Sequence, residues 1–205
     1  ALHALVVRNE AHRARRIPDL DAVLLRGIGE RLYEPRPAAH RFHREADPSW
    51  RQPADVLQLR RLLARFLDVC NAIDYAHSRG IMVRRIVPAS LLLGPTGRGT
   101  VTDLRYCSYT LASIPAGNVP TGLEFMAPEV RDGARGDPAS DVFTAGAILY
   151  YTITGREPPM DPRKTERPSL LRPTCPKALD RILLRALRDA PDDRYLTPAE
   201  MLEDF

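Results

Sequence analysis

Lysine is nearly missing from this chain: of 30 basic residues only Lys164 and Lys177 are lysines, so the positive charge is carried by arginine. The arginines are spread along the sequence, the formal net charge is +4, and aromatic residues make up 6%. A nucleic-acid surface needs basic residues gathered on one face, so pairs such as Arg15-Arg16 and Arg60-Arg61 read as solvated charge, and nucleic acid is not expected as a partner. Cysteine is scarce as well. Cys70, Cys107 and Cys175 stand far apart with no C-x-x-C spacing, which argues against a zinc site and a disulfide framework and favours a reducing, cytoplasmic setting. His40 and His43 share a short basic segment, but nothing beside them completes a ligand set, so they too read as surface. No apolar run approaches the ~20 residues that span a bilayer, and Ala1-Leu2-His3 does not open a signal peptide.

What is present is the composition of one globular domain. The 205 residues are 44% hydrophobic and 27% charged, enough for a substantial core. From Pro53 to Arg79 apolar residues recur at three- and four-residue steps (Val56, Leu59, Leu62, Leu63, Phe66, Val69, Ile73, Ala76), which predicts a long amphipathic helix opened by Pro53 and stopped by Gly80. Ser140 to Gly155 predicts a second helix, capped by Ser140 and apolar on nearly every face, hence buried. Leu179, Ile182, Leu183, Ala186 and Leu187 mark a third. Thr197-Pro198-Ala199-Glu200 is a capping box opening a last helix to Phe205. Short strands are expected at His3 to Val7, Asp21 to Arg26 and Leu91 to Leu93. Residues Glu30 to Pro53 and Pro158 to Pro176 are proline-rich; the first is expected to hold a short helix near Glu30–Tyr33 and then an insertion-like loop.

The stretch with chemical content is His77 to Leu93, and in it Val83-Arg84-Arg85-Ile86-Val87-Pro88-Ala89-Ser90. It resembles, without a gap, the catalytic loop H-R-D-(L/I)-K-P-x-N of the eukaryotic-type (bacterial-like) Ser/Thr protein kinases. Arg84 and Pro88 stand at their family positions, while the groups that act on phosphate do not. The family's Asp accepts the proton of the substrate hydroxyl; here Arg85 takes its place, a permanent cation with donors only. The family's Lys, which neutralises the transferring phosphate, is Val87. The Asn that holds magnesium is Ser90, which keeps a single hydroxyl as a weak ligand.

Two further stretches carry the same resemblance. Thr102-Asp103-Leu104-Arg105 looks like the D-F-G segment, with Asp103 retained as a magnesium ligand, and with Arg105 where Gly would permit a backbone flip. Thr121-Gly122-Leu123-Glu124-Phe125-Met126-Ala127-Pro128-Glu129 resembles G-T-P-E-Y-M-A-P-E. The family's Thr, whose hydroxyl bridges the catalytic Asp and Lys, is Gly122, so all three members of that hydrogen-bonded triangle (Arg85, Val87, Gly122) are replaced together. The structural residues of the resemblance remain. Asp141 is implied to bond the backbone of the catalytic loop, Arg194 to pair with Glu129, and Arg84 to grip a phosphate on the activation segment, where Ser108, Tyr109, Thr110, Ser113 and Thr121 supply hydroxyls. His77, at the end of the long helix, reads as a hydrogen-bonded core histidine.

The resemblance therefore implies an α+β, mainly α, protein-kinase-like fold. Residues 1–28 are expected to be a remnant of the small-lobe strands and hinge, and residues 29–205 the large lobe. The Gly-rich loop, the ATP-contacting Lys and its Glu partner would all precede Ala1, and the absence of an initiating Met is what a fragment would show. The expected function is that of a pseudokinase, an inactive binding or regulatory module with a protein partner and no membrane segment. The alternative is an active Ser/Thr kinase that takes ATP and magnesium, through Asp103 and Ser90, once an upstream lobe is joined. A relic with no selected role is the third reading.

Overall fold

The longest apolar-periodic stretch of the sequence is also the longest helix. The structure, a computed structural model, describes residues 52–93, 99–101 and 122–205. In it α1 spans Val56–Ser78 and buries Leu59, Leu62, Leu63, Phe66, Val69, Cys70, Ile73 and Ala76 along one side. Its start lies beyond the expected Pro53. Asp55 is the cap, its carboxylate accepting from the Gln58 amide at 2.8 Å. A carboxylate satisfies one of the orphan N–H groups of a first turn, which proline cannot do. Gly80, with φ of +74°, turns the chain out of the helix.

After the loop at 81–87 a 3₁₀ turn, Pro88–Ser90, feeds β1, Leu91–Leu93, which pairs antiparallel with β2, Gly99–Val101, in the register Leu91 opposite Val101. This small ribbon lies against α1. A 3₁₀ turn at Leu123–Phe125 and the one-turn α2, Pro128–Arg131, lead to α3, Pro138–Thr154.

Helix α3 is the centre of the lobe. Fifteen of its residues are buried, among them Val142, Phe143, Ile148, Leu149 and Ile153. Full burial of each such side chain contributes about 1.5–3 kcal/mol, so this helix is held by its surroundings and not by its own propensity. Its cap is Asp137, ahead of the expected Ser140. Ser140 is instead the reciprocal partner in a capping box: the Asp137 side chain accepts from the Ser140 amide at 2.9 Å, and the Ser140 hydroxyl from the Asp137 amide at 3.1 Å. Gly155 closes the helix with φ of +75°.

Three short helices complete the unit: α4, Pro168–Leu171, α5, Lys177–Ala186, and α6, Pro198–Glu203. A Cβ placed on Gly146 would lie 2.8 Å from the Ala186 Cβ, so α3 and α5 meet there at a separation only glycine allows. Thr197 caps α6 through the Glu200 amide, but Glu200 reaches back to the Leu196 N–H, not to its own cap residue, and the helix ends at Glu203, short of Phe205. The described residues up to Asp204 belong to one compact unit. The strands expected near residues 3–7 and 21–26, the segment 30–51 and the D-F-G-like stretch from Thr102 to Arg105 lie outside the described residues.

Two cysteines, Cys70 and Cys175, are buried among the described residues. Burial, reinforced by the carboxylate of Asp74, raises the Cys70 thiol well above its ordinary range, and burial together with Asp180 pushes Cys175 up to about 12. Thiolate is the reactive form, so neither should react while the protein is folded. A Cys107→Ser variant treated with a thiol reagent at pH 8 is expected to stay unlabelled until denaturant is added, then to gain two labels. Rapid labelling of the folded variant would show that the core around α1 or α5 opens.

Candidate functional site

The loop that carries the candidate residues is shaped by one carboxylate from α3. Asp141 is fully buried. Its Oδ2 accepts from the Val83 amide at 2.7 Å and its Oδ1 accepts from the Arg84 amide. The Oδ2 also lies 2.7 Å from His77 Nε2, at the end of α1. A carboxylate only accepts, so the ring proton is on Nε2. One turn along α3 from Asp141, the Thr144 hydroxyl donates to the Arg84 carbonyl at 3.1 Å.

These bonds hold Arg84 in a conformation it would otherwise avoid. Its φ of +59° makes it the one non-glycine residue with positive φ among the described residues. A left-handed conformation costs an ordinary residue about 1–2 kcal/mol, whereas a hydrogen bond to a charged group contributes about 1.5–3 kcal/mol. Two backbone N–H groups bonded to a single carboxylate outweigh the strain. The Arg84 side chain leaves the loop through Nε, which donates to the Arg135 carbonyl at 2.6 Å.

The positions expected to matter for phosphoryl transfer lie on this rigid turn. Arg85 is 4% exposed and Ser90, in the 3₁₀ turn, is 3% exposed. Val87 caps that turn at its N-terminal end, where its carbonyl accepts from the Ser90 amide at 2.8 Å. The structure brings Val87 and Gly122 together: a Cβ on Gly122, whose φ is +81°, would stand 2.6 Å from a Val87 methyl and 3.5 Å from the Phe125 ring. A Val87 methyl thus occupies the space that a Cβ at position 122 would need. Asp103 and the activation-segment hydroxyls from Ser108 to Thr121 lie outside the described residues. Among the described residues no three His, Cys, Asp or Glu side chains gather as a metal would require.

The other structural pair is complete. Arg194 donates to both oxygens of Glu129 at 2.8 Å, in the bidentate geometry that suits guanidinium and carboxylate. Its remaining donors go to the carbonyls of Arg188, Asp189 and Ala139, so all five are used. Phe143 of α3 lies under the guanidinium, 5.1 Å from ring centroid to Cζ. The Ser140 hydroxyl adds a 2.7 Å bond to Glu129. Desolvation pushes the Glu129 carboxyl up, but the bonds from Arg194 and Ser140 outweigh it and hold the group below its ordinary value.

Three contacts here are not apparent from the sequence as read. Asp141 as the partner of His77 and Thr144 as the second anchor of Arg84 both follow from a buried polar residue on an otherwise apolar helix. Such a residue has to find a partner. The edge-on packing of Phe125 against Tyr151, 5.7 Å between centroids, has no signal beyond two aromatics in apolar surroundings.

A long helix, a bent loop pinned by a buried aspartate, and an A-P-E helix locked to a distant arginine define the large lobe of a protein kinase. Comparison with known proteins agrees. The protein kinase domain family matches residues 50–187. A probable serine/threonine-protein kinase of Corynebacterium efficiens is 31% identical over 160 residues, 68% of this chain and 24% of that protein. The serine/threonine-protein kinase PknB of Mycolicibacterium smegmatis is 30% identical over 165 residues, 71% of this chain and 26% of that protein. Among solved structures, a single-substitution variant of the kinase domain of Mycobacterium tuberculosis PknI superposes with a TM-score of 0.55 at 28% identity, covering 75% of this chain and 56% of that one. The chain belongs to the protein kinase domain family, and its relatives are of the bacterial Ser/Thr type; the matched segment spans about a quarter of the curated relatives' length.

Two outcomes follow from the geometry. Asp141→Ala strands two loop amides and His77 at once and is expected to lower stability by roughly 3 kcal/mol or more, read as a shift in the denaturant midpoint; a loss under about 1 kcal/mol would show that the loop does not depend on this carboxylate. For Glu129 the native pKa lies below the unfolded one, so its contribution is full above the unfolded value of roughly 4.3 and is lost as pH falls through the native value. The stability difference between wild type and Glu129→Gln should therefore be constant from pH 7 to about 5 and shrink below roughly 4.3. A difference that does not change with pH would mean that the pair carries no net charge interaction.

Proposed function

We propose that this domain is a pseudokinase: a kinase lobe that binds or regulates a protein partner and does not transfer phosphate. The observation that carries this reading is the contact between Val87 and Gly122. Two positions that would need a lysine and a threonine for transfer are joined instead by apolar packing, with a Val87 methyl standing 2.6 Å from where a Cβ at 122 would be. Arg85 adds to it, since a guanidinium cannot accept the proton of a substrate hydroxyl. A base at that point contributes ~10²–10⁴-fold to rate, so its replacement by a cation removes most of the reaction even where nucleotide binds.

The family ordinarily works with ATP and magnesium, and the residues in place fit that pair poorly. Arg85 puts a cation at the position of the base, Val87 offers no charge to the phosphate, and Ser90 is a weak ligand held inside a turn. Asp103 is the one strong oxygen ligand the sequence retains, and it supports the second reading, a Ser/Thr kinase completed by an upstream lobe. A small-lobe remnant over residues 1–28 remains our reading of the sequence. The buried, unpaired thiols of Cys70 and Cys175 are compatible with a reducing, cytoplasmic compartment, and no described helix is long and apolar enough to cross a membrane.

Transfer from radiolabelled ATP, measured on the full-length natural protein with a general protein substrate, tests the proposal. No incorporation above background is expected for the wild type. Incorporation that disappears in Asp103→Ala would establish the enzyme reading in its place.

A further inference from the structure

Any partner surface near the site depends on what holds the end of the activation segment. Gly122 adopts a left-handed conformation and its carbonyl accepts from the Phe125 amide at 3.2 Å. The Met126 amide bonds the Leu123 carbonyl at 3.0 Å. Phe125, Met126 and Ala127 are all buried, Phe125 edge-on to Tyr151 of α3. On its other side the turn meets Val87, whose methyl stands where a Cβ on residue 122 would go. Every one of these attachments is an apolar contact or a bond within the turn's own backbone.

We infer that Val87 and Gly122 form an apolar latch that fixes residues 122–127 to the loop at 83–90 without nucleotide, magnesium or phosphate. Contacts between methyl groups and a bare backbone do not change with charge, so the latch does not sense the state of the nucleotide cleft or the phosphorylation of the segment. Each half of the latch also requires the other. Any side chain at 122 collides with Val87, and a smaller residue at 87 leaves the glycine turn without its neighbour. The value of a permanently docked segment, a surface that is always on display, rests on the pseudokinase reading; the latch itself does not.

Amide hydrogen exchange and a double-mutant cycle on the full-length protein test the inference. Val87→Ala is expected to speed exchange at Phe125 and Met126 by roughly fivefold, the effect of losing two methyl groups from a packed contact, while exchange in α1 and α3 stays as in wild type. Adding Mg-ATP to the wild type should leave both amides unchanged. Gly122→Ala alone should lower Tm through two causes, the positive φ and the overlap with Val87. Only the overlap vanishes in the Val87→Ala background, so the double variant should melt above the temperature that the two single losses add up to. Strictly additive losses, or protection of Phe125 and Met126 that rises with Mg-ATP, would overturn the latch. Should Gly122→Ala fail to fold, the exchange of Val87→Ala still decides. Phosphate transfer by the wild type would end the pseudokinase reading and leave the cycle unaffected, so the two ideas fail separately.

Discussion

The Asp141 carboxylate, wholly removed from water, is the interaction on which the rest of the site depends. A buried charge is tolerated only where bonded groups replace its hydration, and Asp141 has two loop amides and a histidine ring. The arrangement works in both directions. The loop needs the carboxylate to hold Arg84 at positive φ, and the carboxylate needs the loop in order to be buried at all. Because Asp141 sits near the start of α3, the geometry of the loop is inherited from the most deeply packed helix of the lobe. The course of the loop's backbone is therefore set by Asp141 and not by the side chains at 85, 87 and 90.

The Glu129–Arg194 pair acts by the same logic on another side of α3. Helix α3 contributes Ser140 to the glutamate, the Ala139 carbonyl to the arginine and the Phe143 ring beneath it. A buried pair of charges is not in itself strong evidence of stability, since desolvation offsets much of the attraction. Its effect here is to fix where α2 lies with respect to α3, because five directional bonds from one guanidinium admit a single arrangement. Both polar anchors, at Asp141 and at Arg194, orient what lies around α3, while the helix's apolar surface supplies most of the burial energy.

Much of this is legible in the sequence, for a physical reason. The helices are visible because their burial imposes a period, and the anchors because charged residues such as Asp141 and Glu129 are conspicuous in apolar or motif-bearing surroundings. Helix starts are less legible. Pro53 and Ser140 are as plausible at a first turn as the true caps, Asp55 and Asp137, and only coordinates show which side chain meets the free amides. The contact between Val87 and Gly122 is legible only in part. The resemblance implies that the two positions adjoin, since it makes them members of one triangle, but it does not say that a Val87 methyl stands where a Cβ at 122 would go, beside a left-handed glycine.

That contact bears on how the replaced groups should be weighed. Three isolated substitutions in a catalytic loop would leave open a reversal one residue at a time. Here positions 87 and 122 are joined sterically: a threonine at 122 would need Val87 to shift, since its Cβ would meet a methyl at 2.6 Å. On the proposed reading the lobe keeps its fold through the anchors at Asp141 and Arg194, while packing at Val87 and Gly122 stands where the family's polar pair would be.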